Sequence, residues 1–381
     1  MIRTLQLIYF GIILIDLNRA RAFVLSPRWN QSRMKPKEQH SSLSNRFSYV
    51  DYRLLHAASS SVSVIMSESD VLARNQGELT MASKEERKVA ISNQKQRLDD
   101  NNINIKEANS EYHVEFDLET DIEGFGSIVM EDGVARIDNV LSQQTAEAMS
   151  EYVDQLLLDT TTAVKDGIFP QEALFGNVFG KENRWDLLLP IEANKNVVKC
   201  LTEVLQEGSP VSNAIESILG KDAELYELST LISDPGSHAQ PLHPDIKFQD
   251  TLHPLLTCFI ALQDIDSTMG PTVFMKKSAT QEYHDDLHDR HLDREATGLV
   301  ATSYNELGTL GIGDCSLYSA MTLHCGSANK SDKRRRLFYF SFINKSLFNE
   351  KGGRNYVSIR PEIAERKLTL GSIQEMISSW K

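Results

Sequence analysis

The sequence predicts a β-rich α+β fold, a barrel or double-sheet jelly roll with helices packed on one side. Two observations carry this: amphipathic helical patterns come first, and short β-type runs separated by Gly, Pro and Asp follow them. A third is size. From about Glu111 onward roughly 270 residues remain, a length that one large β-rich domain fills.

The elements follow in order. Residues 133–137 read as a strand, and 139–142 as a turn into a helix. Leu141, Ala146, Met149, Val153 and Leu157 recur there at helical spacing and give one buried face. Residues 195–206 and 210–219 are two further amphipathic helices, the second opened by Pro210 and closed by Gly220. Short β-type runs then occupy 225–232, 255–262, 271–275, 315–319 and 337–343. No internal repeat is visible.

The N-terminal third reads differently. Residues 1–22 have the form of a signal peptide: Arg3 at the start, an apolar stretch of about eleven residues, and Ala20-Arg-Ala22 as a small-x-small cleavage site. That stretch is too short to be a stable membrane span. Residues 23–64 are basic and Ser-rich, like a transit segment, and the pair is similar to the two-part plastid address of certain algae. Plastid localisation is therefore expected, with the secretory pathway as the alternative. Residues 65–110 are polar and read as a disordered linker, leaving 111–381 as the folded domain.

Charge divides the same way. Residues 1–64 carry nine basic and three acidic side chains, whereas the other 317 carry 31 and 50, a net of −19. So acidic a body excludes nucleic acid as a partner, because phosphate binding needs clustered positive charge. The partner expected is a small molecule, met by a monomer or homodimer. Cys200, Cys258, Cys315 and Cys325 form no Cys-x-x-Cys pair and sit in apolar or strand-like runs, which argues against a disulfide framework.

The chemistry rests on a spaced trio. Two histidines and one carboxylate can occupy one face of an Fe(II) ion and leave the opposite face open. With 10 His and 53 Asp+Glu in 381 residues, roughly 1.4 His-x-Asp/Glu triplets are expected by chance. Four occur, at His113, His243, His284 and His291. Context selects His243-Pro-Asp245. It follows a strand and a Pro-Gly turn, and Pro244 keeps His243 extended, so both side chains leave the same side. His324 follows Gly313-Asp314 and a strand, and Arg335 opens the last strong strand eleven residues later. Arginine is the residue type that grips a carboxylate with two hydrogen bonds. Only one parity of Arg334, Arg335 and Arg336 points inward; spacing favours Arg335, with Arg336 as the fallback.

Gln-Pro-Leu-His-x-Asp, the 256–266 run with Gly270-Pro-Thr-Val-Phe274, Gly-Asp, and His-x-Gly-x-x-Asn-x-Ser with Arg at +11 resemble the phytanoyl-CoA dioxygenase family of Fe(II)/2-oxoglutarate oxygenases. The likeness covers about residues 130–345. It departs at Met275-Lys-Lys-Ser-Ala279, where the family usually shows Pro-Gly-Ser/Thr-His. The resemblance implies a double-stranded β-helix, cupin-like core with flanking helices. It implies Fe(II) held by His243, Asp245 and His324, and 2-oxoglutarate held through its distal carboxylate by Arg335. Gln240 and Thr257 are the further co-substrate candidates, with O2 as oxidant and ascorbate as reductant. Hydroxylation with release of succinate and CO2 is the default outcome. Asp245 argues against halogenation, whose enzymes replace that ligand with a small residue. Oxidative cyclisation or desaturation in natural-product biosynthesis, such as kainoid-type ring closure, is the alternative on the same iron centre. A non-catalytic jelly-roll binding protein is the second alternative.

Other residues carry weaker expectations. Arg184 and Trp185 place a cation beside an aromatic and are read as substrate-binding. His284, His288 and His291 share one helical face, read as a lid or surface helix rather than a second metal site. His238 and His253 are read as surface or core residues, and Cys325 as a bystander beside His324. The acidic body disfavours an acyl-CoA substrate and favours a small amphipathic acid, an amino-acid-derived metabolite or a lipid.

Overall fold

Nine strands build two antiparallel sheets among the described residues of the computed structural model. These residues are 125–176, 182–250, 253–303, 305–347 and 357–380, with isolated helical positions at 86, 89, 90, 92 and 93. The leader and transit expectations and His113 lie outside them, as does the linker expectation except at those five helical positions.

The larger sheet has the order β1-β7-β4-β9-β3-β2, from β1 (Val134–Ile137), β7 (Cys315–Ser319), β4 (Leu255–Ala261), β9 (Arg335–Ile343), β3 (Glu224–Ser233) and β2 (Arg184–Leu188). The smaller runs β6-β5-β8, from β6 (Glu306–Gly308), β5 (Thr272–Phe274) and β8 (His324–Gly326). All pairings are antiparallel. The fold is thus the β-rich α+β class expected. Side-chain alternation gives the large sheet two faces. One carries Val134, Phe259, Tyr318, Leu337 and Tyr339, which cluster with Phe274 of the small sheet. The other carries Phe338, Phe340 and Phe342, stacked edge to face at 6.0 and 5.9 Å.

The helices are α1 (Phe125–Asp132), α2 (Gln143–Lys165), α3 (Lys195–Leu205), α4 (Pro210–Leu219), α5 (Gln281–His291), α6 (Leu299–Thr302), α7 (Pro361–Ala364) and α8 (Leu370–Trp380). Their starts are chemically marked. Ser142, Asn194 and Ser209 each cap an orphan backbone N–H, and Pro210 fills a first-turn position that needs none. α4 packs on β9, α3 on α2, α4 and α8. The turn into β7 depends on Gly313, at φ +86°, because a Cβ there would lie 2.1 Å from the Leu141 carbonyl oxygen. Asp314 beside it accepts from Arg136 and from the N–H groups of Asn139 and Gly311. The Gly-Asp pair is therefore a structural corner.

Candidate metal centre

His243 and Asp245 lie on an extended segment between β3 and β4. His243 exchanges both backbone hydrogen bonds with His324 of β8, at 3.0 and 2.9 Å, and the Asp245 N–H donates to Ala320 O at 2.8 Å. Pro244 keeps the segment extended, so the side chains of residues 243 and 245 leave together. The result is one cluster, His243, Asp245 and His324, whose ligand-type atoms all lie within 4.8 Å of one another. No other such trio of His, Cys or acidic groups occurs among the described residues.

The histidine rings are set for metal binding. His243 Nδ1 contacts Pro241 O at 2.7 Å, and His324 Nδ1 contacts Thr322 O at 2.8 Å. A carbonyl only accepts, so each ring carries its hydrogen on Nδ1 and its lone pair on Nε2. His324 Nε2 faces Asp245 Oδ1 at 3.6 Å. Asp245 Oδ2 accepts from the phenol of Tyr318 at 3.1 Å, a contact that residue spacing does not reveal. Ser278 fixes the same region, since its hydroxyl accepts the Leu323 N–H at 2.8 Å. This gives the departing 275–279 loop a role. Lys276 and Lys277 turn outward to Asp132 and Glu131 of α1.

Arg335 is the inward arginine. It is 0% exposed, donating through Nη1 to Gly270 O and through Nη2 to Ser233 Oγ at 3.1 Å. Its Nε has no partner, and no carboxylate among the described residues pairs with it. Burial, helped by the nearby charge of Arg184, pushes its pKa down to about 9. Arg334 and Arg336 are tied outside instead, to Asp154 and Asp234. Arg335 lines a cavity with Phe259, Thr272, Gly308, Leu310, Ser316 and Leu337, among others. Phe259 of this cavity packs on Tyr318 at 5.1 Å, and Tyr318 packs on His324 at 4.8 Å. A buried, uncompensated guanidinium beside two hydroxyls is chemically suited to a carboxylate. The residues present therefore fit an iron with 2-oxoglutarate.

Three further expectations come out differently. Arg184 pairs with Ser233, which pairs with Arg335, so the two arginines are in register on one face, their backbones about 10 Å apart. Arg184 is 2% exposed, its Nε and Nη1 lack partners, and burial pushes its pKa down to about 10. The residue read as a substrate contact thus shares the Arg335 end of the interior. Trp185 follows it on the strand, so its side chain leaves from the opposite face. Thr257 pairs with Ser341, six residues along β9 from Arg335 (roughly 20 Å), and its hydroxyl bonds Ser341 Oγ at 3.0 Å. The hydroxyl bonded to Arg335 belongs to Ser233, and Thr272 and Ser316 line the same cavity. Gln240 does face inward. Its Oε1 accepts the Gly326 N–H at 3.0 Å, and a Cβ on Gly326 would lie 2.6 Å from that oxygen and 2.5 Å from Arg184 Nη1.

The remaining histidines among the described residues form no metal site. His284 joins α5 to the 246–249 segment, with Nε2 at 2.8 Å from Met321 O and Nδ1 accepting the Phe248 N–H at 3.2 Å. His288 and His291 are exposed, as is His238, while His253 is buried against Met130 O. All four cysteines are thiols. No helix among the described residues is long and apolar enough to cross a membrane.

Comparison with known proteins gives one family. The phytanoyl-CoA dioxygenase (PhyH) family matches over residues 129–337, more than half of the chain. No curated protein matches it by sequence. Among solved structures the chain is similar to the non-heme alpha-ketoglutarate-dependent epimerase SnoN of nogalamycin biosynthesis, at 17% identity, 58% of this chain, 82% of that one and a TM-score of 0.41. The carbocyclase SnoK matches at 14%, 61%, 88% and 0.42. HygX from Streptomyces hygroscopicus, with nickel and 2-oxoglutarate bound, matches at 16%, 57%, 84% and 0.42. Likenesses this distant say nothing of this chain's substrate.

Proposed function

The chain belongs to the phytanoyl-CoA dioxygenase (PhyH) family and is an iron- and 2-oxoglutarate-dependent oxidoreductase; on that premise we propose that it hydroxylates a small organic substrate at the His243/Asp245/His324 centre. The observation that carries this reading is Arg335, a fully buried cation with an unpartnered Nε, lining a cavity whose Phe259 ring packs on Tyr318, the neighbour of His324. We read the two facing sheets as a double-stranded β-helix.

Each residue then has a task. His243 and His324 present Nε2, and Asp245 one oxygen, to the same face of an Fe(II) ion. Arg335 takes the distal carboxylate of 2-oxoglutarate, with the Thr272 and Ser316 hydroxyls beside it. Arg184 adds a second cation at that end, and Gln240 lines the adjoining wall. Phe259, Leu310 and Leu337 exclude water, which strengthens the charge pairing. Iron bound with 2-oxoglutarate and O2 supplies the power to take hydrogen from a C–H bond, with succinate and CO2 as co-products. Ascorbate serves as the reductant that keeps the metal ferrous. The substrate is a small amphipathic acid, an amino-acid-derived metabolite or a lipid, and the enzyme acts in the plastid.

The test is succinate formation by purified protein given Fe(II), ascorbate, 2-oxoglutarate and fractions of a metabolite extract. Substrate-stimulated succinate supports the reading, and mass spectrometry of the product separates added oxygen from ring closure or desaturation. If no fraction stimulates succinate and anaerobic Fe(II) with 2-oxoglutarate gives no charge-transfer band, the protein is a binding module instead.

A further inference from the structure

Tyr318 lies on β7, one strand in from the edge of the large sheet, between Val134 of β1 and Thr257 of β4. It is 1% exposed, with its ring held by Phe259 at 5.1 Å, Phe274 at 5.2 Å and His324 at 4.8 Å. A phenylalanine would fill that seat equally well. What the tyrosine adds is one hydroxyl, and a buried hydroxyl needs a partner. Its proton goes to Asp245 Oδ2 at 3.1 Å. The backbone beside it does related work, since Ala320 O accepts the N–H groups of both Asp245 and Ile246, at 2.8 and 3.1 Å. The end of β7 therefore grips the 245–246 segment through the backbone and grips the Asp245 side chain through the phenol.

The two oxygens of Asp245 are thereby distinguished. Oδ1 faces His324 Nε2 at 3.6 Å, inside the trio, while Oδ2 is engaged by the phenol. A carboxylate can bind a metal through one oxygen or chelate it through both. Chelation would take a position on the face that co-substrate and O2 require. We propose that Tyr318 is a positioning residue that holds Asp245 to single-oxygen ligation and so keeps the opposite face of the metal open. The inference rests on the metal-site reading above. Outer groups that orient a ligand typically change metal affinity ten- to a hundredfold when removed.

The experiment uses the full chain and Mn(II) alone. Free Mn(II) is followed by its electron paramagnetic resonance signal, and carboxylate ligation by the infrared difference spectrum on metal binding. Wild type should show the wide separation of carboxylate stretches that marks one-oxygen binding. Tyr318→Phe should bind Mn(II) ten- to a hundredfold more weakly and show the narrow, chelating separation. Phe274→Leu, which trims a ring on the same side of His324 without touching a hydrogen bond, should stay within about threefold of wild type. Equal affinity in wild type and Tyr318→Phe overturns the proposal, as does an equal loss in Phe274→Leu. Should Tyr318→Phe fail to fold, the wild-type spectrum alone decides, because a chelating pattern there refutes it. Wild type that binds no Mn(II) at all would instead sink the metal-site reading itself.

Discussion

Replacing Arg335 with methionine should separate stability from function. The guanidinium is 0% exposed and has no carboxylate partner among the described residues. Its pKa of about 9, against 12.5 for an ordinary arginine, puts the cost of carrying the buried charge at roughly 5 kcal/mol. The sign is fixed by direction: a cation whose folded pKa is lowered destabilises the fold at every pH below that value. The penalty is thus full at neutral pH and lifts only between pH 9 and 12.5. Methionine fills similar volume without the charge but gives up the bonds to Gly270 O and Ser233 Oγ, worth about 1–3 kcal/mol each. The unliganded variant should therefore melt at or above the wild-type temperature. Co-substrate binding should suffer instead. Truncating one partner of a buried charge pair costs about 2–5 kcal/mol, or roughly 30- to 4,000-fold in Kd. Wild type should gain about 2.7 kcal/mol from 2-oxoglutarate at a hundred times its Kd, and the variant less than about 1 kcal/mol at that concentration. Thermal melts with and without 2-oxoglutarate, and anaerobic titration of the Fe(II) charge-transfer band, measure both quantities. A variant that binds 2-oxoglutarate within threefold of wild type refutes the argument. So does one whose unliganded form melts ten degrees lower.

Other outcomes follow from the same geometry. Because only the charged guanidinium binds a carboxylate, 2-oxoglutarate affinity should hold up to pH 9 and then weaken by about tenfold per pH unit, read by anaerobic titration across pH 7.5 to 10.5. His243→Ala should abolish both metal binding and succinate formation while leaving the circular dichroism spectrum unchanged. Gly313→Ala forces a Cβ against Leu141 O at a left-handed backbone position, which should cost about 3 kcal/mol and lower the melting temperature by roughly 6–12 °C. Burial lowers the His284 pKa, so the stability it contributes is present above its unfolded value of 6.5 and lost as pH falls below it. Wild-type unliganded protein should lose melting temperature from pH 6.5 to 5, and His284→Gln should lose less.

The parts of the fold that periodicity announces are those with long apolar runs. β3, β4, β7 and β9 fall where alternating or continuous apolar residues sit between turn signals, and α2, α3 and α4 where a helical stripe meets a capping residue. β2 shows no apolar alternation because one of its faces holds Arg184 and Asp186, both buried polar residues. β6 and β8 are three residues each, too short for any period. At the site, local spacing suffices to bring His243 and Asp245 together, and the spacing from His324 favours Arg335 with Arg336 as the fallback. What spacing cannot supply is register between distant strands. That information decides that Thr272 and Ser316, and not Thr257, neighbour Arg335, and that Arg184 stands beside it.

Three consecutive arginines at 334–336 pose a problem for a strand, since charge alone does not say which of them belongs inside. Asp154 and Asp234 answer it. Asp154 holds Arg334 and Arg336 at 2.9 and 2.6 Å, and Asp234 holds Arg334 again. A slip of β9 by one residue would turn Phe338, Phe340 and Phe342 onto the opposite face and leave one arginine, Arg335, where Arg334 and Arg336 now meet the two acids. The outer acids thus act as a key for strand alignment, and loss of Asp154 should show first as slow or heterogeneous refolding.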